Sequence, residues 1–301
     1  MKTDIESVLA QITFTACAIL TALIVIYFIG FVFYTAFPVL KSQGIYFILG
    51  DVWSYGKGIY GSKVFILGTL VLTIVTLILA IPLGVFTAIF LAEFAPAKLA
   101  PVFRSMIELL VGIPSVVYGI FGYVVLSGVI RDSIKPFISS NLGFIPVFRD
   151  YNSSIGDGVL LASMVLAVMI LPTLVAISEN AIRSVPSAYR EASFAVGATH
   201  WETVRKVVLP SASGGIMASI VLGTMRAMGE TMAVVMLLGN SIGVPTSIFN
   251  LGYAMTSKIL NDAGERMANP EHMSALFALA ATLFAIEILF VLAARKLEAR
   301  F

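Results

Sequence analysis

Arg226 and Glu230 stand four residues apart in the run GTMRAMGETMAVVMLLGN, whose other side chains are apolar or small. A charge left facing lipid at the centre of a spanning helix costs roughly 2.5 to 3.5 kcal/mol on insertion scales, so each needs a partner, water or a solute. In an unbroken helix, a four-residue step puts the two side chains about 40° apart on one face and about 6 Å apart along the axis, where they can pair. A guanidinium also presents planar, forked donors that suit an oxyanion. On the same wheel Gly223 and Ala233 flank the pair, leaving either a close helix contact or room for a solute. Met225, Met228, Met232 and Met236 form a stripe well over a quarter turn away and read as packing surface. A structural ion pair fits these residues as well as an anion path does.

A second run, VPSAYREASFAVGATHWETVRKVVLPSASGG, is long and amphipathic. Glu191-Ala192-Ser193 opens a helical stretch, Gly197 supplies a turn that tolerates positive φ, and a second stretch runs from His200 to Val208 before Pro210 ends it. On spacing alone this is a solvated connector.

The elements that hold both runs are membrane spans. Of 301 residues 59% are hydrophobic and 12% charged, with a mean hydropathy of +0.99, too few polar side chains to coat a soluble globule. Six stretches reach the roughly 20 apolar residues that cross a bilayer as a helix: about 12–37, 64–92, 106–130, 159–182, 214–238 and 273–294. Pro82, Pro114 and Pro172 fall inside them, and small residues such as Ser115 with Gly119 and Gly84 with Ala88 permit close helix contacts. The first run is expected to be retained, because Asp4 and Glu6 outnumber Lys2 and it is longer than a cleaved leader's core. Cys17 is expected to be a small buried side chain. His200 and His272 lack neighbours at ligand spacing, so no metal is expected, and scattered basic residues argue against nucleic acid.

Loop charge orients the chain only weakly. With both termini inside, the inner side holds Lys2, Lys98, Arg104, Arg183, Arg190, Arg205, Lys206, Arg295, Lys296 and Arg300, ten against eight outside (Lys41, Lys57, Lys63, Arg131, Lys135, Arg149, Lys258 and Arg266).

Glu191-Ala192-Ser193, three residues, Gly197, nine residues, then Val207-Val208-Leu209-Pro210 resembles the EAA loop of ABC importer permeases, whose pattern is EAA, three residues, G, nine residues, I-x-L-P. Ser193 for the second Ala and Val207 for Ile are the departures. Thr69-Leu70, Pro82-Leu83-Gly84 and Leu91-Ala92-Glu93-Phe94 resemble the second span of that family, so the likeness covers roughly residues 64–240. It implies an all-α integral membrane protein with six transmembrane helices and the type I ABC importer permease fold: a single permease domain over 1–301 whose coupling loop, 184–210, is cytoplasmic. In that family the loop seats a short helix in a groove on the nucleotide-binding subunit. Glu191, Ala192 and Gly197 are then the interface positions, with Arg190 as a polar rim contact. No G-x-x-x-x-G-K-[ST] phosphate loop occurs in the sequence, so ATP and Mg fall to a separate ATPase chain and no cofactor is expected here.

RAMGETMAVVMLLGN, together with GIPSVVYGIFG in the third span, is similar to the phosphate-specific importer permeases, and Thr231 to Asn240 looks like the PstC-type subunit rather than its PstA-type partner. In such permeases the matching arginine and glutamate lie on the phosphate path, which assigns that role to Arg226 and Glu230. The implied partners are a PstA-type permease, two PstB-type ATPase subunits and a periplasmic or lipid-anchored phosphate-binding protein, in a bacterial or archaeal cytoplasmic membrane. A permease for molybdate or sulfate, or the PstA-type subunit, remains the alternative. A membrane enzyme would need paired groups facing one cavity, whereas Glu230 and Glu287 lie on separate spans, and a passive channel or scaffold would not need the EAA loop. Glu287 is read as structural, facing the bundle or pairing near Arg295. Asn152-Ser153-Ser154 matches a glycosylation acceptor, a pattern short enough to arise by chance.

Overall fold

A computed structural model of the chain describes residues 2–149 and 156–298. The Asn152-Ser153-Ser154 pattern and Arg300 lie outside the described residues. Among the described residues six helices are long and apolar enough to cross a membrane: Ser7–Gln43, Lys63–Phe94, Ser115–Leu142, Val159–Arg183, His200–Gly229 and Pro270–Lys296. All six expected spans are therefore present, with shifted ends at the third and fifth. The chain divides into two compact units, Met1–Ser62 with Asp262–Thr282, and Lys63–Asn261 with Leu283–Phe301.

In the first unit the helix Lys2–Gln43 leads into a two-residue antiparallel pairing of Trp53–Ser54 with Ile59–Tyr60. The rings of Trp53, Tyr55, Tyr60 and His272 pack edge to face or tilted, and the Tyr55 hydroxyl donates to Asp262. Burial pushes the Tyr60 phenol up to about 12, and burial with the Asp262 hydrogen bond raises Tyr55 further, so both stay protonated. Cys17 is exposed, a correction to the buried side chain expected. Most side chains between Val8 and Phe37 are likewise exposed, as suits a helix whose neighbours are lipid or other subunits.

In the second unit the second, fourth and fifth spans pack around Leu72, Ala80, Val165, Leu166, Ile170 and Leu174. Glycine sets the spacing: a Cβ on Gly84 would fall 2.8 Å from Leu174 Cβ, and one on Gly223 3.1 Å from the Leu174 side chain. Thr69, Thr73 and Thr76 are buried and donate to carbonyls one turn back at 2.8 to 2.9 Å, so none of these three hydroxyls is left without a partner in the apolar core.

Proline acts differently at each site. Pro82 and Pro172 sit inside continuous helices. Pro114 breaks the third span. A separate helix, Ala100–Leu109, ends in a tight turn, Ile113 is extended, and helix resumes at Ser115, because the residue before proline is disfavoured in helical geometry. The expected start at residue 106 is corrected accordingly. Pro210, expected to end a helix, lies inside one: a wider turn over Val204–Val208 relieves the ring clash and absorbs the missing N–H, so helix runs unbroken from His200 to Gly229.

Between the fifth and sixth spans the chain folds back over the second unit. The Gly158, Val159 and Leu160 N–H groups at the start of the fourth span donate to Leu237, Asn250 and Ile248 carbonyls at 3.0, 3.0 and 2.7 Å, satisfying donors that a helix start leaves open. The Met255 N–H donates to Thr69 Oγ1 at 2.9 Å, and a Cβ on Gly68 would come within 2.3 Å of the Tyr253 carbonyl oxygen. Replacing Gly68 with alanine is therefore expected to destabilise this unit by about 1 to 3 kcal/mol through overpacking, read as a lowered Tm. Gly30→Ala, at a position with open space around it, should leave the Tm unchanged.

Candidate functional site

The fifth helix stops at Gly229. Glu230 is extended (φ −66°, ψ 132°), and a short helix, Met232–Leu237, begins after Thr231. The expectation of one unbroken helix with Arg226 and Glu230 paired at helical spacing is corrected: no ion pair joins them. Gly229 gives the chain freedom to leave the helix, and the surroundings take up the backbone groups that are freed. The Glu230 carbonyl accepts from the Thr256 hydroxyl at 2.9 Å, and the Gly229 carbonyl from the Thr231 hydroxyl at 3.2 Å. The Glu230 carboxylate faces the other way and accepts from the Ala233 N–H at 3.4 Å, at the start of the short helix.

Arg226 is thus left in the last turn of the long helix, exposed, where a cation complements the helix dipole. Its depth follows from Gly223, one turn earlier, which packs on Leu174 and Ile170 near the middle of the 25-residue fourth span. Gly223 is therefore a close helix contact rather than room for a solute. The Tyr118 hydroxyl, near enough to feel the Arg226 charge, donates to the Leu110 carbonyl at 3.0 Å across the break at Pro114. Gly119, one residue on, brings the third span against the short helix: a Cβ there would meet Met236 Sδ at 2.7 Å. Two interrupted helices thus meet at Gly119 and Met236. The break also divides the methionine stripe, since Met225 and Met228 stand on the long helix and Met232 and Met236 on the short one.

The loop after the fourth span is a helix, Ser187–Ala195, a turn at Gly197 with φ +86°, and a second helix capped by Thr199 and Glu202. Glu191, Ala192 and Gly197 are exposed. Arg190 points inward, its guanidinium donating to Glu93 Oε1 at 2.6 Å and to the Val185 and Ile182 carbonyls at 2.5 and 3.0 Å. Ser193 shares a 2.9 Å hydrogen bond with Thr203, which ties the two helices together. Glu93, at the end of the second span, also meets His200 at 3.6 Å, and Phe94 packs on the His200 ring.

Two groups escaped the sequence reading. Tyr189, Phe194, Val196 and Trp201 are large, apolar and exposed around the Gly197 turn, a patch of the kind that marks a docking surface. Aromatic residues in an otherwise polar connector were the available signal. Glu179, 3% exposed near the end of the fourth span, holds Arg104 at 2.5 Å and Arg183 at 2.8 Å. A single carboxylate flanked by arginines 75 residues away and four residues away leaves no local pattern. Glu287 lines a small apolar pocket with Met225, Phe284 and Val291 and makes no ion pair with Arg295. Among the described residues no group of three or more His, Cys, Asp or Glu is placed to hold a metal ion.

The Glu93–Arg190 pair joins the loop to the second span with side chains 6% and 21% exposed. Arg190→Ala leaves Glu93 buried and unpaired, so a loss of about 3 kcal/mol is expected in chemical unfolding. The Glu93→Ala, Arg190→Ala double variant should lose clearly less than the sum of the two single losses.

The family described as the binding-protein-dependent transport system inner membrane component matches residues 80–301. The chain is 35% identical over 263 residues to the phosphate transport system permease protein PstC of Xylella fastidiosa, covering 87% of this chain and 81% of that protein. It is 34% identical over 296 residues to the PstC of Haemophilus influenzae, covering 98% and 93%. Against the probable ABC transporter permease protein YqgH of Bacillus subtilis it is 35% identical over 302 residues, covering 99% and 92%. Among solved structures, an inward-facing MetNI methionine ABC transporter aligns with a TM-score of 0.55 at 19% identity, covering 81% of this chain and 97% of that one. A bacterial alginate ABC transporter aligns with a TM-score of 0.54 at 18% identity, covering 94% and 96%. At those identities the structures share the fold alone. Six apolar helices together with this family match make a multi-pass inner membrane protein, and the chain belongs to the binding-protein-dependent transport system inner membrane components, among the PstC-type permeases.

Proposed function

We propose that this chain is one of two permease subunits of an ATP-driven importer of inorganic phosphate. The observation that carries the reading is the exposed guanidinium of Arg226 at the interrupted fifth helix, a positive charge with forked donors one turn from the contact with the middle of the fourth span. The 35% identity to a phosphate permease names the anion.

In the mechanism, a binding protein delivers phosphate on the outer side and a second permease completes the path. Arg226 offers a site strong enough to admit the anion and weak enough to release it. Glu230 holds the break through Ala233 and places a negative charge nearby, which keeps residence short. Both termini lie in the cytoplasm. ATP and Mg bind to two separate ATPase subunits, whose closure moves the loop docked on them. Glu191, Ala192 and Gly197 form the docked face together with Tyr189, Phe194 and Trp201. Arg190 works from behind that face, carrying the movement into the second span through Glu93.

Uptake of labelled phosphate by the reconstituted complex tests the path. Arg226→Ala should lower uptake at least about tenfold, the effect of losing one charge-assisted contact, while ATPase subunits still co-purify. Unchanged uptake would remove Arg226 from the path. Excess unlabelled molybdate or sulfate should leave phosphate uptake intact; strong competition by either would reassign the substrate to that oxyanion.

A further inference from the structure

At the end of the fourth span that carries the coupling loop, a cavity of about 320 Å³ opens between Leu91, Ala92, Ala95, Ala97, Ala100 and Pro101, with Arg104 and Arg183 on its wall. It lies far along the chain from Arg226 and has no part in the mechanism above. From it we infer a second anion site, one that takes a phosphate oxyanion at the membrane face, with an anionic phospholipid headgroup as its occupant.

The donors are built rather than incidental. Glu179, buried, receives Arg104 through Nε and Nη2 at 3.3 and 2.5 Å and Arg183 through Nε at 2.8 Å. Arg183 Nη2 also donates to the Leu91 carbonyl at 3.1 Å. Both guanidinium planes are therefore held fast, and the Nη1 donors of both remain unengaged, on side chains 38% and 47% exposed. Two cations around one buried carboxylate leave a unit of positive charge at the wall. Glu108, exposed and one turn beyond Arg104, offsets it only from a distance. Fixed, forked guanidinium donors match phosphate oxygens, and the alanine and proline walls leave space for them.

Location favours the lipid. Arg104 belongs to the helix Ala100–Leu109, where Val102, Phe103, Met106 and Leu109 are exposed, an apolar stripe at helical spacing beside Lys98 and Arg104. A helix of that pattern lies along a membrane interface with its apolar side in the acyl region, which brings headgroup phosphates to the depth of the pocket. The site is independent of what the transport path carries.

The test uses the complex of this chain with its partner subunits, carrying Arg226→Ala so that the path contributes no anion binding. In one arm it is reconstituted in nanodiscs of phosphatidylcholine with a minor fraction of phosphatidylglycerol, and native mass spectrometry counts the phosphatidylglycerol retained. In the other, labelled inorganic phosphate is titrated onto the complex in phosphatidylcholine alone. Retention in the first arm should fall about tenfold with Arg104→Gln, the loss of one charge-assisted contact. It should fall similarly with Ala97→Trp, which fills the pocket without touching the three charged groups and keeps the parent Tm. Losses confined to the phosphate arm would keep the oxyanion site but replace the lipid by the free ion. Equal binding by the parent and both variants in both arms overturns the site.

Discussion

A backbone that leaves helix geometry inside a bilayer has no water to satisfy its N–H and C=O groups, and each group left open costs several kcal/mol. That constraint falls on Gly229, Glu230 and Thr231, and much of the second unit answers it. The Thr256 hydroxyl reaches the Glu230 carbonyl because helix begins again at Met255. That start is fixed by the Thr69 hydroxyl, and the chain can come so close to the second span only because residue 68 has no side chain. The same returning segment supplies the carbonyls that cap the fourth span. One local break thus organises three spans and the segment that covers them, and what it releases is Arg226.

At the other end of the bundle the design is electrostatic. Glu93 and Glu179 are buried carboxylates at the ends of the second and fourth spans, and between them they hold Arg104, Arg183 and Arg190. A buried pair contributes little net stability but fixes geometry strongly, since removing one member strands the other. Displacement of the Ser187–Ala195 helix must therefore pull on the second and fourth spans, which pack against each other and against the helix that carries Arg226. Rigid charge links at one end and a sacrificed helical turn at the other join the Ser187–Ala195 helix to Arg226.

The spans were legible because length and hydropathy are local properties, and Gly197 because a bend between two amphipathic stretches requires a residue tolerant of positive φ. The break at Glu230 was not, since Arg-x-x-x-Glu at helical spacing reads as a paired helix face, and only Thr256, 26 residues on, makes the alternative affordable. Pro210 was misread for a related reason: a widened turn upstream absorbs a proline that ordinary helix geometry rejects. Arg190 sits beside the EAA residues in sequence, yet its neighbour in space is Glu93, 97 residues earlier. Cys17 looked buried because apolar runs usually pack on their own chain, whereas most of the first span is exposed.

The broken helix holds Arg226 apart from Glu230. Solid-state NMR on the membrane-embedded complex, with the Arg226 guanidinium labelled with nitrogen-15 and the Glu230 carboxyl with carbon-13, measures this directly. The broken helix predicts no dipolar coupling at ion-pair range, with the Glu230 carboxyl coupled instead to the Ala233 amide. An Arg226–Glu230 contact within about 4 Å, together with helical chemical shifts through Gly229, Glu230 and Thr231, would contradict it.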